Sequence, residues 1–312
     1  MVGSVSEGRG IRWLQPGRIA AVLLLALSVL APSGGFKALA AETVVDALGP
    51  TVAPGPGTRI LTLGSDVTEI VHALGAGGRI VGVDRGSKYP PSVTQKPNVS
   101  YRRRLSVEGL ASLRPDLILA AEDSGPPEAV EVLKSLAIPV VFIPQDNSPQ
   151  GIERKITLAA ALGLEDKGKV VSAEVLTAFQ AAADLASKIP PGRRKKVMFF
   201  HGLVKLSAAG AGTSADAIIR YAGGLNPMDV VQGYKAASEE KLIEMAQDVI
   251  VMMSDGKGGP TPEQVFANRA LAATPASVNK ALIVLDGAYM IGFGPRTSDA
   301  IRDLAKALYP EG

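Results

Sequence analysis

Short apolar segments alternate with amphipathic ones along most of the chain, and this alternation is the strongest constraint on its fold. In the first half, the predicted strands are Arg59–Leu63, Ile80–Val83, Leu117–Ala120 and Val140–Ile143, and the predicted helices are Val67–Leu74, Ser106–Leu113 and Pro127–Leu136. Strands that alternate with helices through short connections pair in parallel, because each helical crossover returns the chain to the same end of the sheet. The sequence therefore predicts an α/β protein.

A second α/β run follows a long stretch without strand signal. Residues 148–188 are rich in Ala, Leu, Glu and Lys, and they predict one or two helices with a break near Gly163. Beyond them, the predicted strands are Lys196–Phe200, Asp248–Met253 and Ala281–Leu285, and the predicted helices are Asp216–Ala222 and Ser238–Ala246. Two α/β lobes joined by a helical segment leave a cleft between them, and such clefts are the usual place for a ligand.

The two halves share a repeated segment. Residues 106–120 (SVEGLASLRPDLILA) are identical to residues 238–252 (SEEKLIEMAQDVIVM) at five of fifteen positions and match them in apolar type at three more, through repetition or through convergent helix–strand patterning. Each copy predicts a serine that caps a helix, a carboxylate in the first helical turn, and an aspartate that opens a buried strand. Tyr101 and Tyr234 each precede the equivalent helix, so the repeat predicts that these tyrosines face one another across the cleft.

The first forty residues have the features of a secretory signal peptide. Three arginines precede a 13-residue apolar run at 19–31, and Ala38-Leu39-Ala40 supplies small residues for cleavage near Ala40. We therefore expect export, and periplasmic localisation in a Gram-negative cell. The predicted organisation is a signal peptide at 1–40, a flexible lead-in at 41–57, lobes at 58–147 and 191–312, and a helical segment between them at 148–190.

Charge and cysteine content exclude several kinds of protein. The formal net charge of the chain is +3, and the leader carries four cations against one anion, so the remaining residues are close to neutral. That balance argues against nucleic-acid binding. The absence of cysteine excludes disulfides, thiolate metal sites and an N-terminal lipid anchor attached through cysteine.

Tyr101 stands next to three consecutive arginines in the segment NVSYRRRLS at 98–106. A tyrosine ordinarily keeps its proton to about pH 10, and nearby guanidinium groups favour the phenolate. A phenolate oxygen suits ferric iron and is one axial ligand of haem, while arginine binds carboxylates through two hydrogen bonds. The segment therefore fits a ferric centre, a ligand that carries carboxylates, or both at once, as in haem with its two propionates.

Several segments between about residues 58 and 309 resemble the periplasmic haem-binding proteins of bacterial haem ABC transporters. The matching segments are ILTLGSDVTEIVHALGAGGRIVGVD (60–84), VSYRRRLSVEGLASLRPDLILAAEDSGPP (99–127), GTSADAIIRYAGGLN (212–226), GYKAASEEKL (233–242) and GFGPRTSDAI (292–301). The resemblance implies two Rossmann-like lobes with parallel sheets joined by a long helix. It also implies a monomer that is not an enzyme, that carries ferric haem as cargo, and that delivers it to a membrane permease.

The resemblance assigns roles at four positions. Tyr101 matches the axial tyrosine ligand of ferric haem, and Arg103 matches the residue that supports the phenolate by hydrogen bonding. Ser100 departs from the pattern, because a glycine is expected before the tyrosine. Glu108 and Glu240 match the surface glutamates, one on each lobe, that dock into the permease of similar proteins.

Other residues are candidates for the ligand site. His201 follows a predicted strand at its carboxyl end, where α/β sheets bind ligands, and a histidine at a similar place in the second lobe binds iron in some relatives. Tyr234 or His201 is expected to cover the second face of the haem. The candidates for contact with its propionates are Lys235, Lys257 and Arg296.

Two alternative functions remain at this stage. The same fold could carry a ferric siderophore, whose carboxylates the arginines would bind, or a corrinoid. Neither ligand would need a phenolate from the protein. An exported nucleotide-dependent oxidoreductase rests on the Gly-x-Gly-x-x-Ala pattern at 210–215 alone. That pattern lacks a clear preceding strand and a suitably placed acidic residue, so it is weak evidence for a nucleotide site.

Overall fold

The structure is a computed structural model that describes residues 43–52, 55, 57–135, 138–254 and 258–310. The strands among these residues are β1 (Thr43–Val45), β2 (Pro50–Val52), β3 (Ile60–Leu63), β4 (Ile80–Val83), β5 (Leu117–Ala121), β6 (Val140–Ile143), β7 (Val197–His201), β8 (Ser207–Ala209), β9 (Tyr234–Ala236), β10 (Val249–Ser254) and β11 (Leu282–Asp286). The α-helices are α1 (Ser65–Ala73), α2 (Val107–Ser112), α3 (Pro127–Ser135), α4 (Pro149–Ala160), α5 (Glu165–Ser187), α6 (Ser214–Tyr221), α7 (Glu239–Met245), α8 (Pro262–Phe266), α9 (Arg269–Ala272), α10 (Pro275–Val278), α11 (Gly287–Ile291) and α12 (Thr297–Leu308).

The sheet of the first lobe has the strand order β4-β3-β5-β6, and all its strands are parallel. Side chains alternate between its two faces, as the two-residue period of a strand requires. Ile60 and Leu117 belong to the core cluster that also contains residues of α1 and α4, whereas Leu61 and Ile118 belong to a second cluster with residues of α2 and α3. Helices therefore cover both faces, which confirms the α/β prediction for this half.

The sheet of the second lobe has the strand order β11-β10-β7-β8-β9. β11, β10 and β7 are parallel, as predicted, whereas β8 and β9 are added in antiparallel orientation. The sequence analysis did not predict β8 and β9, because each has only three residues and neither forms a long apolar run. This sheet also packs on both faces, with Phe199 in one core cluster and Phe200 in another.

A helical layer joins the two lobes through one continuous core. α4 and α5 break at Gly163, whose φ of +77° is in the left-handed region that favours glycine, and this confirms the predicted break. The largest core cluster contains residues of α1, α4 and α5 together with residues of α6 and α12. Because this cluster spans both lobes, their relative movement is restricted by close packing. The domain boundaries stay a prediction.

The N-terminal segment differs from the predicted flexible lead-in at 41–57. β1 and β2 pair as an antiparallel hairpin, and the turn between them docks on the edge strand β6. The backbone N–H of Phe142 donates to Asp46 Oδ2 at 2.8 Å, and the N–H of Ala47 donates to the Phe142 carbonyl at 2.9 Å. The predicted signal peptide at 1–40 lies outside the described residues. Within the described part of the chain, no helix is long and apolar enough to cross a membrane.

The repeated segments have equivalent local structure. Ser106 caps α2 by accepting from the Gly109 N–H, and Ser238 caps α7 by accepting from the Lys241 N–H, each at 3.3 Å. Near the other end of each segment, an aspartate accepts a hydrogen bond from the backbone just before the neighbouring parallel strand. Asp116 accepts from the Arg59 N–H before β3, and Asp248 accepts from the Lys196 N–H before β7.

A buried ion pair connects the lobes beneath the cleft. Lys155 of α4 is 1% exposed, and its Nζ donates to Asp66 Oδ2 of α1 at 2.9 Å. The same Nζ donates to the carbonyl of Phe293 in the second lobe at 3.2 Å, so one ammonium group contacts both lobes.

Lys155→Met is expected to lower the free energy of unfolding by about 3–5 kcal/mol, because breaking a buried pair leaves the Asp66 carboxylate buried without its partner charge. Urea denaturation measures the effect. Lys169→Met is the matched control, since Lys169 forms a fully exposed pair with Asp166 on α5 and its loss should leave the midpoint unchanged. Equal midpoints for the two variants would contradict the proposed role of the buried pair.

Candidate functional site

The principal cleft lies between the lobes, at the carboxyl ends of the parallel strands of both sheets. Its volume is about 870 Å³, within the usual range for small-molecule sites. Loops that follow β3, β4, β5 and β6 line one side, and loops that follow β7, β10 and β11 line the other. Ser214 Oγ and Asn147 Oδ1 form a 2.8 Å hydrogen bond between the two sides. Among the sequence-predicted residues, the cleft brings together Tyr101, Arg103, His201 and Tyr234.

The loop that carries Tyr101 is fixed by one carboxylate, Asp123, which follows β5. Arg102 donates to Asp123 through both Nε and Nη2, at 2.7 and 2.9 Å. Arg103 donates through Nη2 to the same carboxylate, and through Nη1 to the Tyr101 hydroxyl oxygen at 2.8 Å. Arg103 is therefore held by Asp123 in the position from which it contacts the phenol. Tyr101 itself is 38% exposed and is open to a ligand.

The Ser-Gly-Pro-Pro segment at 124–127 braces this loop from behind. The Gly125 N–H donates to the Arg102 carbonyl at 2.8 Å, and the Gly125 carbonyl accepts from the Leu105 N–H at 2.9 Å. Together with the carboxylate of Asp123, these bonds tie the tyrosine loop to the loop after β5 at both backbone and side-chain level. Interactions within the chain therefore define the conformation of the loop.

Charges in this cluster favour the ionised forms of Asp123 and Arg102. Burial alone would raise the pKa of Asp123, but hydrogen bonds and charge from Arg102 and Arg103 outweigh it and hold that pKa below its ordinary value. Burial would likewise lower the pKa of Arg102, and Asp123 raises it instead. Two guanidinium groups against one carboxylate leave a net positive charge beside the Tyr101 hydroxyl.

Ser100 adopts a backbone conformation that ordinarily favours glycine. Its φ is +82°, in the left-handed region, which costs an L-residue about 1–2 kcal/mol. Its N–H donates to Asn98 Oδ1 at 2.8 Å, and its carbonyl accepts from the Arg85 N–H at 2.8 Å. The serine that departs from the expected glycine therefore keeps the loop geometry that a glycine would take.

The second lobe places Tyr234 and His201 on the opposite side of the cleft. Tyr234 opens β9, and its ring meets Phe199 of β7 edge to face, with the ring centroids 6.3 Å apart. Burial raises the pKa of the Tyr234 phenol, and the charge of Arg103 partly offsets that rise, so the two residues interact electrostatically across the cleft. His201 ends β7 and is exposed. The predicted placement of the two tyrosines at one cleft agrees with this geometry.

Two predicted propionate contacts lie away from the cleft. Lys235 follows Tyr234 on β9, so its side chain projects from the opposite face of the strand. Arg296 donates to both carboxylate oxygens of Glu69 on α1, at 2.8 and 2.5 Å, and its guanidinium stacks on the ring of Tyr89 at 3.7 Å. Arg296 does bind a carboxylate, but one of the chain itself, and this bond connects the second lobe to the first.

The remaining predicted residues differ in position. Lys257 lies outside the described residues. Glu108 and Glu240 are exposed in the first turns of α2 and α7, and hydrogen bonds from the backbone and from Ser238 lower the pKa of Glu240. α2 begins a few residues after Tyr101, and α7 follows the carboxyl end of β9, which lies beside the carboxyl end of β7, so both helices begin on the cleft side of their sheets. Both carboxylates therefore lie on the face where the cleft opens.

Two cleft cations were missed by the sequence analysis. Arg85 and Lys88 follow β4 and line the cleft beside Tyr101. The signal was present, since both residues come just after a predicted strand, at the end of the sheet where ligands bind. The opposite side of the cleft contributes apolar side chains from Met253 and Ile291.

The glycine-rich segment at 210–215 follows a strand after all. β8 precedes it and α6 follows it, which corrects the expectation that no strand precedes this pattern. β8 is antiparallel to β7, however, so the segment is not the turn of a parallel βαβ nucleotide-binding unit. A side chain at Gly210 would collide with the Val231 carbonyl, with Cβ only 1.9 Å from the oxygen. Close packing of two backbone segments therefore explains why position 210 requires a glycine.

Comparison with known proteins agrees with this architecture. The sequence profile of the periplasmic binding protein family matches residues 60–289, which include strands and helices of both lobes. The chain belongs to the periplasmic binding protein family.

Two solved structures of similar periplasmic binding proteins cover most of the chain. The haem-binding protein RhuT from Roseiflexus sp. RS-1, in its apo form, is 36% identical over 81% of this chain and 98% of its own, with a TM-score of 0.76. The haem-binding protein BhuT, in complex with two haems, is 34% identical over 80% of this chain and 98% of its own, with a TM-score of 0.74.

A curated relative points to a different ligand over a shorter region. The vitamin B12-binding protein of Vibrio cholerae is 33% identical over 87 residues, which are 28% of this chain. The match spans about a third (32%) of the length of that relative. Similar periplasmic binding proteins thus carry at least two kinds of tetrapyrrole, according to their names.

Ser100→Gly in this periplasmic binding protein is expected to be more stable than Ser100→Ala by about 0.5–1 kcal/mol. Glycine removes the left-handed penalty of about 1–2 kcal/mol, which exceeds its added entropy in the unfolded chain. Both variants lack the serine hydroxyl, so their difference in urea denaturation isolates the effect of Cβ. An alanine variant as stable as the glycine variant would show that the loop carries no such strain.

Proposed function

We propose that this chain is an exported binding protein that captures ferric haem in the cleft and delivers it to the permease of an ABC transporter. The observation that carries the proposal is the 2.8 Å hydrogen bond from Arg103 to the hydroxyl oxygen of Tyr101 at the edge of the cleft. A donor held in place by Asp123 stabilises the phenolate, and a phenolate is a good ligand for ferric iron. The haem-binding relatives that match most of the chain support the same assignment.

The other cleft residues fit the remaining parts of a haem. Arg85 and Lys88 lie beside Tyr101 and suit the two propionates, because cations near the cleft mouth can pair with carboxylates that stay close to water. Met253 and Ile291 offer apolar contacts to the porphyrin face. In this arrangement Tyr101 ligates the iron from the first lobe, and Tyr234 or His201 covers the opposite face from the second lobe.

Delivery requires recognition by a membrane protein. Glu108 and Glu240 are exposed at equivalent positions on the two lobes, on the side where the cleft opens. We infer that both carboxylates dock into basic pockets of the permease, with the cleft facing the membrane.

Charge reversal of Glu108 should then abolish haem transport into vesicles that contain the permease while haem binding by the protein stays normal.

The chain itself performs no reaction in this proposal. Haem is cargo, and the protein binds, protects and releases it as a monomer. Residues 1–40 would act as a cleaved signal peptide that directs export to the periplasm, and residues 41–312 would form the mature protein. All the core clusters of the described residues lie between residues 60 and 308, so residues 41–312 contain the whole described core.

A corrinoid is the second candidate ligand, because the vitamin B12-binding relative matches part of the chain. A corrinoid already has its cobalt held by a macrocycle and needs no phenolate from the protein. A ferric siderophore would likewise rely on Arg85, Arg103 and Lys88 to pair with its carboxylates. Both alternatives predict binding that does not depend on the Tyr101 hydroxyl.

An absorption titration with ferric haem tests the proposal. Residues 41–312 are expected to reach a saturating endpoint with a tyrosinate-type spectrum, and Tyr101→Phe should lose that spectrum and weaken binding more than about 10–100-fold, which is the usual effect of a residue that only supports a metal ligand. Tyr89→Phe is the control, since Tyr89 lies outside the cleft beneath Arg296. Parallel titrations with cyanocobalamin and with ferric citrate, a ferric chelate that carries carboxylates, test the alternatives.

Neighbouring arginines supply a second matched pair for the same titration. Arg103→Met should weaken haem binding about 10–100-fold, because it removes the donor to the Tyr101 oxygen. Arg104→Met should change little, since Arg104 is exposed and forms no side-chain hydrogen bond with any described residue. Unchanged haem binding in Tyr101→Phe, or saturable binding of cobalamin alone, would overturn the proposal.

A further inference from the structure

A second pocket lies far from the cleft, between the end of α5 and the last helix, α12. Its volume is about 360 Å³. Its floor is apolar, and the residues that form it are Ala182, Ala186, Ile189, Ala305 and Tyr309. Leu185 stands at its edge, is 54% exposed, and adds to the apolar surface of the pocket.

The rim of this pocket carries only positive charge. The cations that line it are Lys188, Arg193, Arg302 and Lys306, and no carboxylate lines it. Arg302 pairs with Asp299, whereas the side chains of the other three cations have no hydrogen-bond or ion-pair partner among the described residues. The chain beyond the leader is close to neutral, so this local excess of cations does not reflect its general composition.

The position of the pocket separates it from the haem site. Tyr309, one of the floor residues, accepts a hydrogen bond from the Lys195 N–H at 3.0 Å and donates to the Gly223 carbonyl at 2.9 Å. Lys195 lies just before the amino end of β7, whereas His201 at the carboxyl end of the same strand lines the cleft. The two sites are therefore at opposite ends of the second sheet.

An apolar floor beneath a cationic rim is complementary to an amphiphile with an anionic head. An alkyl chain gains free energy by leaving water for the floor, and a carboxylate forms charge-assisted hydrogen bonds with arginine and lysine at the rim. We propose that this pocket binds a free long-chain carboxylate, that is, a fatty acid.

The choice of a free fatty acid over a lipid in the membrane rests on the proposed function. If Glu108 and Glu240 dock on the permease, the cleft side faces the membrane and the pocket faces away from it. A lipid that stays in the bilayer could not then reach the pocket during delivery. A pocket of about 360 Å³ between two helix ends also suits one alkyl chain better than a flat bilayer surface.

Isothermal titration calorimetry of residues 41–312 with dodecanoate, kept below its critical micelle concentration, tests the proposal. We expect one saturable site, at least about tenfold weaker in Arg193→Gln/Lys306→Gln, because hydrogen bonds to charged groups are lost. Lys167→Gln/Lys169→Gln is the control, with the same charge change at the far end of α5. Dodecanol should bind more weakly than dodecanoate, and Ala305→Phe should block the pocket.

Haem-loaded protein should bind dodecanoate as well as haem-free protein does, which distinguishes this pocket from the cleft. Competition by haem, equal weakening in the control variant, or equal binding of dodecanol would each overturn the proposal. Binding of phosphatidylglycerol vesicles without binding of dodecanoate would overturn it as well, and would indicate a membrane surface instead. If Ala305→Phe does not fold, the comparison of Arg193→Gln/Lys306→Gln with its control variant still tests the proposal. Because the dodecanoate titrations of the haem-free protein and its variants do not require haem binding, failure here and failure of the proposed haem function are distinguishable.

Discussion

The hydrophobic core that runs through α1, α4, α5, α6 and α12 is the constraint on which the other features depend. It is shared by both lobes, so the carboxyl ends of the two sheets are held facing one cleft. Lys155 reinforces this arrangement from within, because its buried ammonium contacts Asp66 on one lobe and the Phe293 carbonyl on the other. The ion pair of Arg296 with Glu69 adds a second connection between lobes. Such a frame favours small adjustments of the cleft over large hinge motions.

Within this frame, the chemistry of the site is concentrated on Asp123. One carboxylate fixes two neighbouring guanidinium groups, and one of these reaches the Tyr101 oxygen. Because the donor is already in place, a ligand that needs a phenolate would not have to reorganise the loop on binding. Backbone bonds through Gly125 hold the same loop from behind, and Ser100 accepts a left-handed conformation to keep it. Several independent interactions thus position one hydroxyl group at the cleft.

Local patterns in the sequence were enough to predict the parallel strands, the break at Gly163 and the capped helices of the repeat, because each depends on residues close together in the chain. Long-range pairings were not predictable in this way. Asp46 meets Phe142 across 96 positions, and Arg296 meets Glu69 across 227, so a predicted flexible lead-in became a docked hairpin and a predicted propionate ligand became a connection between lobes.

The same distinction applies to the site. Tyr101 and Arg103 are two residues apart, so their contact was readable from the sequence with the help of the family resemblance. The side of the sheet on which Lys235 lies, in contrast, is set by the pairing of β9 with β8. Both strands are too short to be recognised from the sequence pattern. The identity of Asp123 as the anchor of both arginines also required the fold, since it lies about twenty residues away in the loop after β5.

Resonance Raman spectroscopy of the ferric-haem complex tests the central claim most directly, because it detects the bond between iron and its axial ligand. The account predicts iron–phenolate and phenolate ring vibrations that shift when the tyrosines carry deuterated rings and that vanish in Tyr101→Phe. A spectrum of histidine-ligated haem that is retained in Tyr101→Phe and lost in His201→Ala would contradict it. In that case the arginine cluster would serve a purpose other than making Tyr101 a ligand.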